Sequence, residues 1–286
     1  MGTVLQVTVI AGEQERARAL AETACAEARR WDAILTTWRA DGELARLNAR
    51  AGAGPTPVSA ELGAALRDMQ RLSADTADAF DPAVGGLVDL WRGQLPPSAA
   101  EQARAVPARI GASLALEGSQ ATLAAGAKLD AGGIGKGMAL DAIGRLLRAG
   151  GVEAAYLDFG GSSQLAIGAP PDSPDGWRIA ISGLAPQRLH GVLNLRDAAL
   201  STSRALGGPA AAGPIIDPRS GAPVPGPRLV TVRAADASSA EAWSKAVIVF
   251  GRDGIARAEA GGFDVLLEDA DGVARTAGFV LEPLDL

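Results

Sequence analysis

One cysteine and one histidine in 286 residues narrow the chemistry open to this chain. Cys25 has no partner for an internal disulfide, and its Ala-rich helical setting reads as a small buried apolar position, leaving the redox compartment open. His190 opens a strand pattern outside any motif and reads as an exposed strand-end histidine. No apolar stretch reaches the roughly 18 residues of a membrane span. Nor does the chain open on a charged segment followed by an apolar one, so residence is expected to be cytoplasmic as the sequence stands, or periplasmic if a leader has been removed. Excess basic charge is lacking too. A formal net charge of -6 argues against nucleic acid or an anionic membrane as the main partner, since both select a basic face. There is no internal repeat, low-complexity tract or long linker, so a single domain over 1–286 is expected. With 48% hydrophobic and 21% charged residues, that domain has ample material for a core.

Glycine, by contrast, is plentiful where it is most informative. Leu129 to Asp141 reads L-D-A-G-G-I-G-K-G-M-A-L-D, with Gly132, Gly133, Gly135 and Gly137 around Lys136. Such glycines let a backbone turn sharply and approach a ligand closely. A helix opening near Ala139 would aim free N–H groups at an anion, with Lys136 adding a mobile positive charge. The spacing matches neither the G-x-x-x-x-G-K-[ST] phosphate loop nor the G-x-G-x-x-G dinucleotide turn, and a plain glycine-rich turn into a helix is the competing reading.

Periodicity supplies the frame. Val4 to Ile10 alternates as a strand, and Glu13 to Thr37 carries Ala17, Leu20, Ala24, Ala28, Trp31 and Ile34 on one helical side. Short helices are expected over Gly42 to Asn48 and Glu61 to Ala77, the latter burying Leu62, Ala65, Leu66, Met69 and Leu72. Pro96, Pro97 and Pro107 break the middle of the chain, and Ser113 to Lys128 reads as a hairpin turning at Glu117 to Ser119. Helix Leu140 to Ala149 stops at Gly150-Gly151. Strands follow at 154–159, 163–167, 177–182, 191–195, 199–203 and 229–234, then a helix over Ser239 to Phe250 and closing strands near 263–267 and 275–280. The class is α+β with mixed sheets.

Six segments recur in the order seen in one enzyme family. Met1-Gly2-Thr3, T-T-W-R-A-D-G-E-L-A-R-L-N from Thr36 to Asn48, A-F-D-P-A-V-G-G-L-V-D-L-W from Ala79 to Trp91, the lysine loop, Y-L-D-F-G-G from Tyr156 to Gly161 and I-I-D-P-R-S-G from Ile215 to Gly221 together resemble the ApbE family of FAD:protein FMN transferases. The resemblance covers nearly the whole chain. It implies mixed sheets with flanking helices around a central flavin-nucleotide cleft, on which the loops at Phe80, Gly133, Gly160 and Asp217 converge. It also implies a magnesium-dependent enzyme that breaks the pyrophosphate of FAD and links the FMN half to a Thr or Ser hydroxyl of an acceptor flavoprotein. Carried over position by position, Met1, Trp38, Ala79, Phe80, Asp81, Asp130, Lys136 and Ile215 would contact the nucleotide. Asp217 would serve catalysis, and the Gly133 carbonyl with Glu241 would hold magnesium. On chemistry alone, Asp81 begins a turn before Pro82, Asp130 caps the approach to a helix, Trp38 is a surface-to-core anchor and Asp217 to Gly221 is a tight turn.

The departures from the family pattern concentrate where the chemistry belongs. Pro214 stands where the family has His, three residues before Asp217, and proline moves no proton. His190 is a candidate substitute. Thr202-Ser203-Arg204 replaces a T-S-G run, and Ser162 follows Gly160-Gly161 where an acid or amide is common. The metal-binding Asp and Thr, spaced i and i+4, are here Glu241 and Lys245. Magnesium takes oxygen ligands at about 2.0–2.1 Å in octahedral order, so the longer carboxylate fits poorly and the ammonium not at all. Glu followed by Lys at i+4 is also a favourable helix ion pair, and the two are expected within salt-bridge reach. Three functions stay open: an active transferase, a metal-independent flavin-nucleotide binding protein, and a degenerate paralogue that associates with an active partner.

Overall fold

Apolar residues at alternate positions from Leu5 to Ile10 build the first strand, and Ala24, Ala28, Trp31 and Ile34, all buried, set the helix that follows. The computed structural model describes residues 2–92, 98, 109–185, 187–206 and 215–284. In chain order its elements begin with β1 (Leu5–Ile10), α1 (Gln14–Leu35), α2 (Glu43–Ala49), β2 (Thr56–Pro57), α3 (Ala60–Asp75) and α4 (Gly85–Trp91). Then come α5 (Ile110–Ser113), β3 (Leu114–Glu117), β4 (Gln120–Leu123) and α6 (Gly135–Ala149). A β-rich stretch follows: β5 (Ala154–Phe159), β6 (Ser163–Ile167), β7 (Trp177–Ser182), β8 (Leu189–Leu195), β9 (Ala199–Ala205), β10 (Ile216–Asp217), β11 (Ala222–Pro223) and β12 (Arg228–Ala234). The chain closes with α7 (Ala237–Phe250), α8 (Asp253–Ala260), β13 (Asp264–Asp269) and β14 (Gly272–Arg275). Pro96, Pro97, Pro107, Met1 and Pro214 lie outside the described residues. Among the described residues no helix is long and apolar enough to cross a membrane.

These elements form two compact units with interleaved segments. The first takes Met1–Trp31, Lys136–Arg204 and Pro227–Leu286, and the second takes Asp32–Gly135 and Ala205–Gly226. The chain passes between them within α1, at the start of α6, at the end of β9 and in the loop before β12.

The first unit is organised by a seven-stranded sheet in the order β1-β5-β6-β9-β12-β13-β14. β1 pairs antiparallel with β5 from Leu5↔Phe159 to Ile10↔Ala154, and β5–β6, β6–β9, β12–β13 and β13–β14 are antiparallel as well. α7 packs on β12 and β6, and α8 packs on α7 and β13. The β7–β8 hairpin buries Ile181, Leu193 and Leu195 against Leu200, Leu229, Leu266 and Phe279. Cys25, expected buried, is half-buried, because only the Ala24–Ala28–Trp31 side of α1 is covered.

In the second unit, α3 has the expected buried stripe, with Leu62, Ala65, Leu66, Met69 and Leu72 at most 2% exposed. Each large side chain of that stripe contributes about 1.5–3 kcal/mol by leaving water. Ser59 caps the helix by accepting from the Leu62 N–H, and Glu43 accepts from both the N–H and hydroxyl of Ser59. The β3–β4 hairpin turns where its sequence says it should, and β2 pairs with β4.

Three local expectations change. The helix placed near Ala139 begins at Gly135, so Lys136 sits in its first turn. The last strand is 272–275 rather than 275–280, because Asp269↔Gly272 closes a tight turn with Gly272 at φ +102°. α4 and α8 were not anticipated: α4 opens on two glycines, which carry little helix propensity, and α8 is short.

Candidate functional site

The second unit gathers three of the resemblance-bearing segments around backbone hydrogen bonds. Asp130 N–H donates to the Pro82 carbonyl (2.8 Å), and Gly85 N–H donates to that of Lys128 (3.0 Å), tying the F-D-P turn to the approach of the lysine loop. Gly85 has to be small here, since a Cβ would lie 2.6 Å from the Lys128 oxygen. Asn48, at the end of the T-T-W-R motif, clamps the same approach: its Nδ2 donates to the Leu129 carbonyl and its Oδ1 accepts from the Leu129 N–H, both at 2.8 Å. That positioning role was not legible from Asn48 alone.

Ala79, Phe80 and Asp81 are all buried, at 5% exposure or less. The Asp81 carboxylate accepts from Ala83 N–H (2.8 Å) and Ile110 N–H (3.2 and 3.3 Å), so it organises the turn and anchors α5. Burial pushes its pKa up, against the two N–H donors. Asp130 accepts from Gly132 N–H (2.7 Å), which folds the turn holding Gly133. Trp38 is 73% exposed rather than an anchor, and the Arg92 guanidinium lies 4.4 Å over its ring.

The D-P-R turn joins this group through α4. Trp91 Nε1 donates to the Gly221 carbonyl (2.8 Å), while Leu87 and Trp91 pack on Ile216. Ile215 is half-buried, its carbonyl accepting from Val224 N–H. Asp217 accepts from Arg219 at its N–H, Nε and Nη2 within 2.9 Å. Burial raises the Asp217 pKa, but the Arg219 contacts outweigh it and hold the carboxylate below its usual range. It therefore stays an anion at neutral pH.

In the first unit, the opening of α6 meets α7. Gly137 is required by this meeting: a Cβ there would lie 2.5 Å from the Ala237 carbonyl oxygen. Asp141, on α6, caps α7 by accepting from Ala237 N–H (2.7 Å), Ser238 N–H (2.9 Å) and Ser238 Oγ (2.5 Å). Sequence reasoning assigned Asp141 no role, although it closes the lysine motif.

Glu241 reaches across the same meeting and is fully buried. Its Oε1 accepts from Ser163 Oγ (2.5 Å) and pairs with Lys136 Nζ (3.0 Å), while its Oε2 accepts from Gly137 N–H (2.9 Å). The ion pair is thus Glu241–Lys136, in place of the expected i,i+4 pair, and Lys245 acts on the carboxylate as a neighbouring charge. Burial would raise the Glu241 pKa, but Lys245, Lys136, Ser163 and Gly137 together hold it low. Lys245, half-buried, has its pKa pushed down to about 8, chiefly by desolvation, with Glu241 opposing and Lys136 adding to the shift. Three serines lie close by: Ser244 Oγ is 2.7 Å from Ser203 Oγ and 3.2 Å from Ser201 Oγ.

The remaining candidates are committed elsewhere. Arg204 donates to the Gly183 carbonyl (3.0 Å). His190, instead of being exposed, has a side chain only 7% accessible, with Nε2 2.8 Å from Glu268 Oε2. Glu268 also takes Arg188 and the Leu184 N–H, so the histidine is one of three partners of that carboxylate. Gly160 lies in the first unit, at the β5–β6 turn, with φ +70°.

The family model for the ApbE family matches residues 1–267. The chain belongs to the ApbE family. Among its relatives, the FAD:protein FMN transferase of Klebsiella pneumoniae (strain 342) is 29% identical over 275 residues, covering 88% of this chain and 77% of that protein. Solved structures agree. The flavin transferase ApbE from Vibrio cholerae superposes with a TM-score of 0.84 at 25% identity, covering 98% of this chain and 95% of that one. The apo flavinyl transferase ApbE of Pseudomonas stutzeri gives 0.86 at 26% identity, covering 98% and 93%.

Proposed function

We propose that this ApbE-family chain acts on FAD, transferring FMN to a Thr or Ser hydroxyl of an acceptor flavoprotein, with low turnover, and that its two units serve as one functional domain over 1–286. The observation carrying this reading is the family match across 1–267 together with Asp81, Asp130, Lys136 and Asp217 at the motif positions. In this transfer the acceptor oxygen attacks the FMN-side phosphorus, the pyrophosphate P–O bond breaks, AMP leaves and the hydroxyl proton is released. Asp217, held ionised by Arg219, is the group assigned to receive that proton. Lys136 contributes charge to the phosphates, and the buried Phe80–Asp81 turn shapes the nucleotide wall. Met1, Trp38, Ala79, Asp130 and Ile215 complete the proposed nucleotide contacts.

Magnesium, assigned by the resemblance to Gly133 and Glu241, does not fit the residues around Glu241. Both carboxylate oxygens already serve Ser163, Lys136 and Gly137, and a second ammonium stands one helical turn away at Lys245. No step above is routed through a metal. The same observation favours a second reading, a protein that binds the flavin nucleotide without transferring it. Incubation with FAD and a Thr-containing acceptor domain, followed by acceptor mass and AMP release, tests the assignment. A mass gain equal to FMN with stoichiometric AMP supports transfer, and FAD binding without either product leaves binding as the function.

A further inference from the structure

Two ammonium groups and one carboxylate make an unequal set. The charges acting on Lys245 are Glu241 and Lys136, one anion and one cation, so the cluster keeps an excess of positive charge after its internal ion pair is satisfied. Hydroxyls adjoin it: Ser163 on β6 donates to the Glu241 carboxylate, and Ser244 on α7, next to Lys245 in the chain, donates to the Glu241 backbone carbonyl and meets Ser201 and Ser203 on β9. Glu241 is completely occupied from the protein side, which fixes Lys136 by a 3.0 Å contact while leaving its side chain 20% accessible. A partly enclosed cationic excess of this kind is stabilised by an anion, and a divalent cation entering it would be repelled by both ammonium groups at short range.

Resting on the flavin-nucleotide reading above, we propose that Lys136 and Lys245, organised around Glu241, form a built-in cationic centre that takes the diphosphate of the nucleotide without any divalent metal. The charge that a bound ion would bring is carried covalently, on two side chains of one compact unit. Glu241 then acts as a positioning residue, holding the Lys136 amine between β6 and the first turn of α6.

Calorimetric titration of the full chain with FAD, once in EDTA and once in excess magnesium, tests this directly. The expected result is the same affinity in both within about twofold, and Lys245→Met weakening it by about tenfold or more, as loss of a charged hydrogen-bond donor does. Melting curves of Lys245→Met and the conservative Lys245→Arg confirm folding, and the arginine variant should retain metal-free binding. The double change Glu241→Asp with Lys245→Thr should make FAD binding magnesium-dependent and should acquire bound Mn2+ by paramagnetic resonance, which the unmodified chain should not. Magnesium tightening FAD binding to the unmodified chain by tenfold or more would overturn the metal-free centre while leaving the flavin reading intact. Unchanged affinity in folded Lys245→Met would overturn it as well. No binding of FAD or FMN under either condition would remove the flavin reading itself, and this proposal with it.

Discussion

Lys136 Nζ and Glu241 Oε1 stand 3.0 Å apart, joining the first turn of α6 to the second turn of α7 through a carboxylate with no solvent exposure. A carboxylate so buried is tolerated because every donor it meets is supplied by the fold. Removing it strands those donors and leaves two ammonium groups facing one another. Glu241→Ala should therefore lower unfolding free energy by about 3–5 kcal/mol, the range for breaking a buried pair from one side. Urea denaturation reads this, and a loss under about 1 kcal/mol would show that the pair holds little of the structure together.

Much of the fold, but little of this cluster, could be read from the chain. The α3 stripe at Leu62, Ala65, Leu66, Met69 and Leu72 is local and periodic, so burial followed the pattern residue by residue. The motif segments singled out particular residues, but not the contacts that their side chains make. Asp81 and Asp141, for instance, spend their oxygens on backbone N–H groups contributed by Ile110 and Ala237. Glu241 looked like half of an i,i+4 surface pair because the donor at Gly137 lies 104 residues earlier, a separation that periodicity does not register. Helix α6 began early for a related reason: its glycines disfavour helix, but close packing on α7 demands one at position 137.

Gly137→Ala provides a test of that packing. The new Cβ would meet the Ala237 carbonyl oxygen at 2.5 Å and the Ser238 nitrogen at 2.8 Å, and backbone atoms cannot rotate aside. A destabilisation of about 1–3 kcal/mol is expected, as for overpacking in a core. Gly86→Ala is the matched control in α4, where nothing lies within 4 Å, and it should stabilise by about 0.5–1 kcal/mol. Equal responses to the two changes would contradict the close helix approach.

The Trp91–Gly221 bond should matter to the D-P-R turn more than to the core. Trp91→Phe retains a ring against Leu87 and Ile216 but abandons the Gly221 carbonyl, which accepts from Nε1 at 2.8 Å. The expected cost is about 1–3 kcal/mol, with faster amide exchange at Gly221 and Ala222. Exchange at these amides identical to the parent protein would show that the turn holds without Trp91.

Lys136→Met should weaken flavin-nucleotide binding by about 1.5–3 kcal/mol, the value of a hydrogen bond to a charged group. The amine is already bonded to Glu241, so the loss has two parts: a missing donor to phosphate, and a carboxylate freed to repel it. Lys136→Arg should recover part of the affinity. Titration of the two variants with FAD checks the order, and equal affinity for parent and Lys136→Met would remove this residue from the site.

The pH dependence of stability should expose Lys245. Its pKa falls from 10.5 to about 8 on folding, so between those values the unfolded chain holds a proton that the folded chain has released. Stability rises with pH wherever the unfolded state binds more protons, so this group's contribution increases through the window from about 8 to 10.5. Below it, both states carry the ammonium, and the cost of desolvating that charge is fully present. Glu241 has linkage of the same sign in an acidic window. Held below 4.5 in the fold, it contributes stability above that value that is lost as pH falls through its folded pKa, well away from the lysine window. Chemical denaturation of parent and Lys245→Met across the alkaline range isolates the lysine, because other groups titrate in both proteins. The parent should gain stability relative to the variant as pH rises through the window, and parallel curves would mean that the Lys245 amine is as well solvated in the fold as in the unfolded chain.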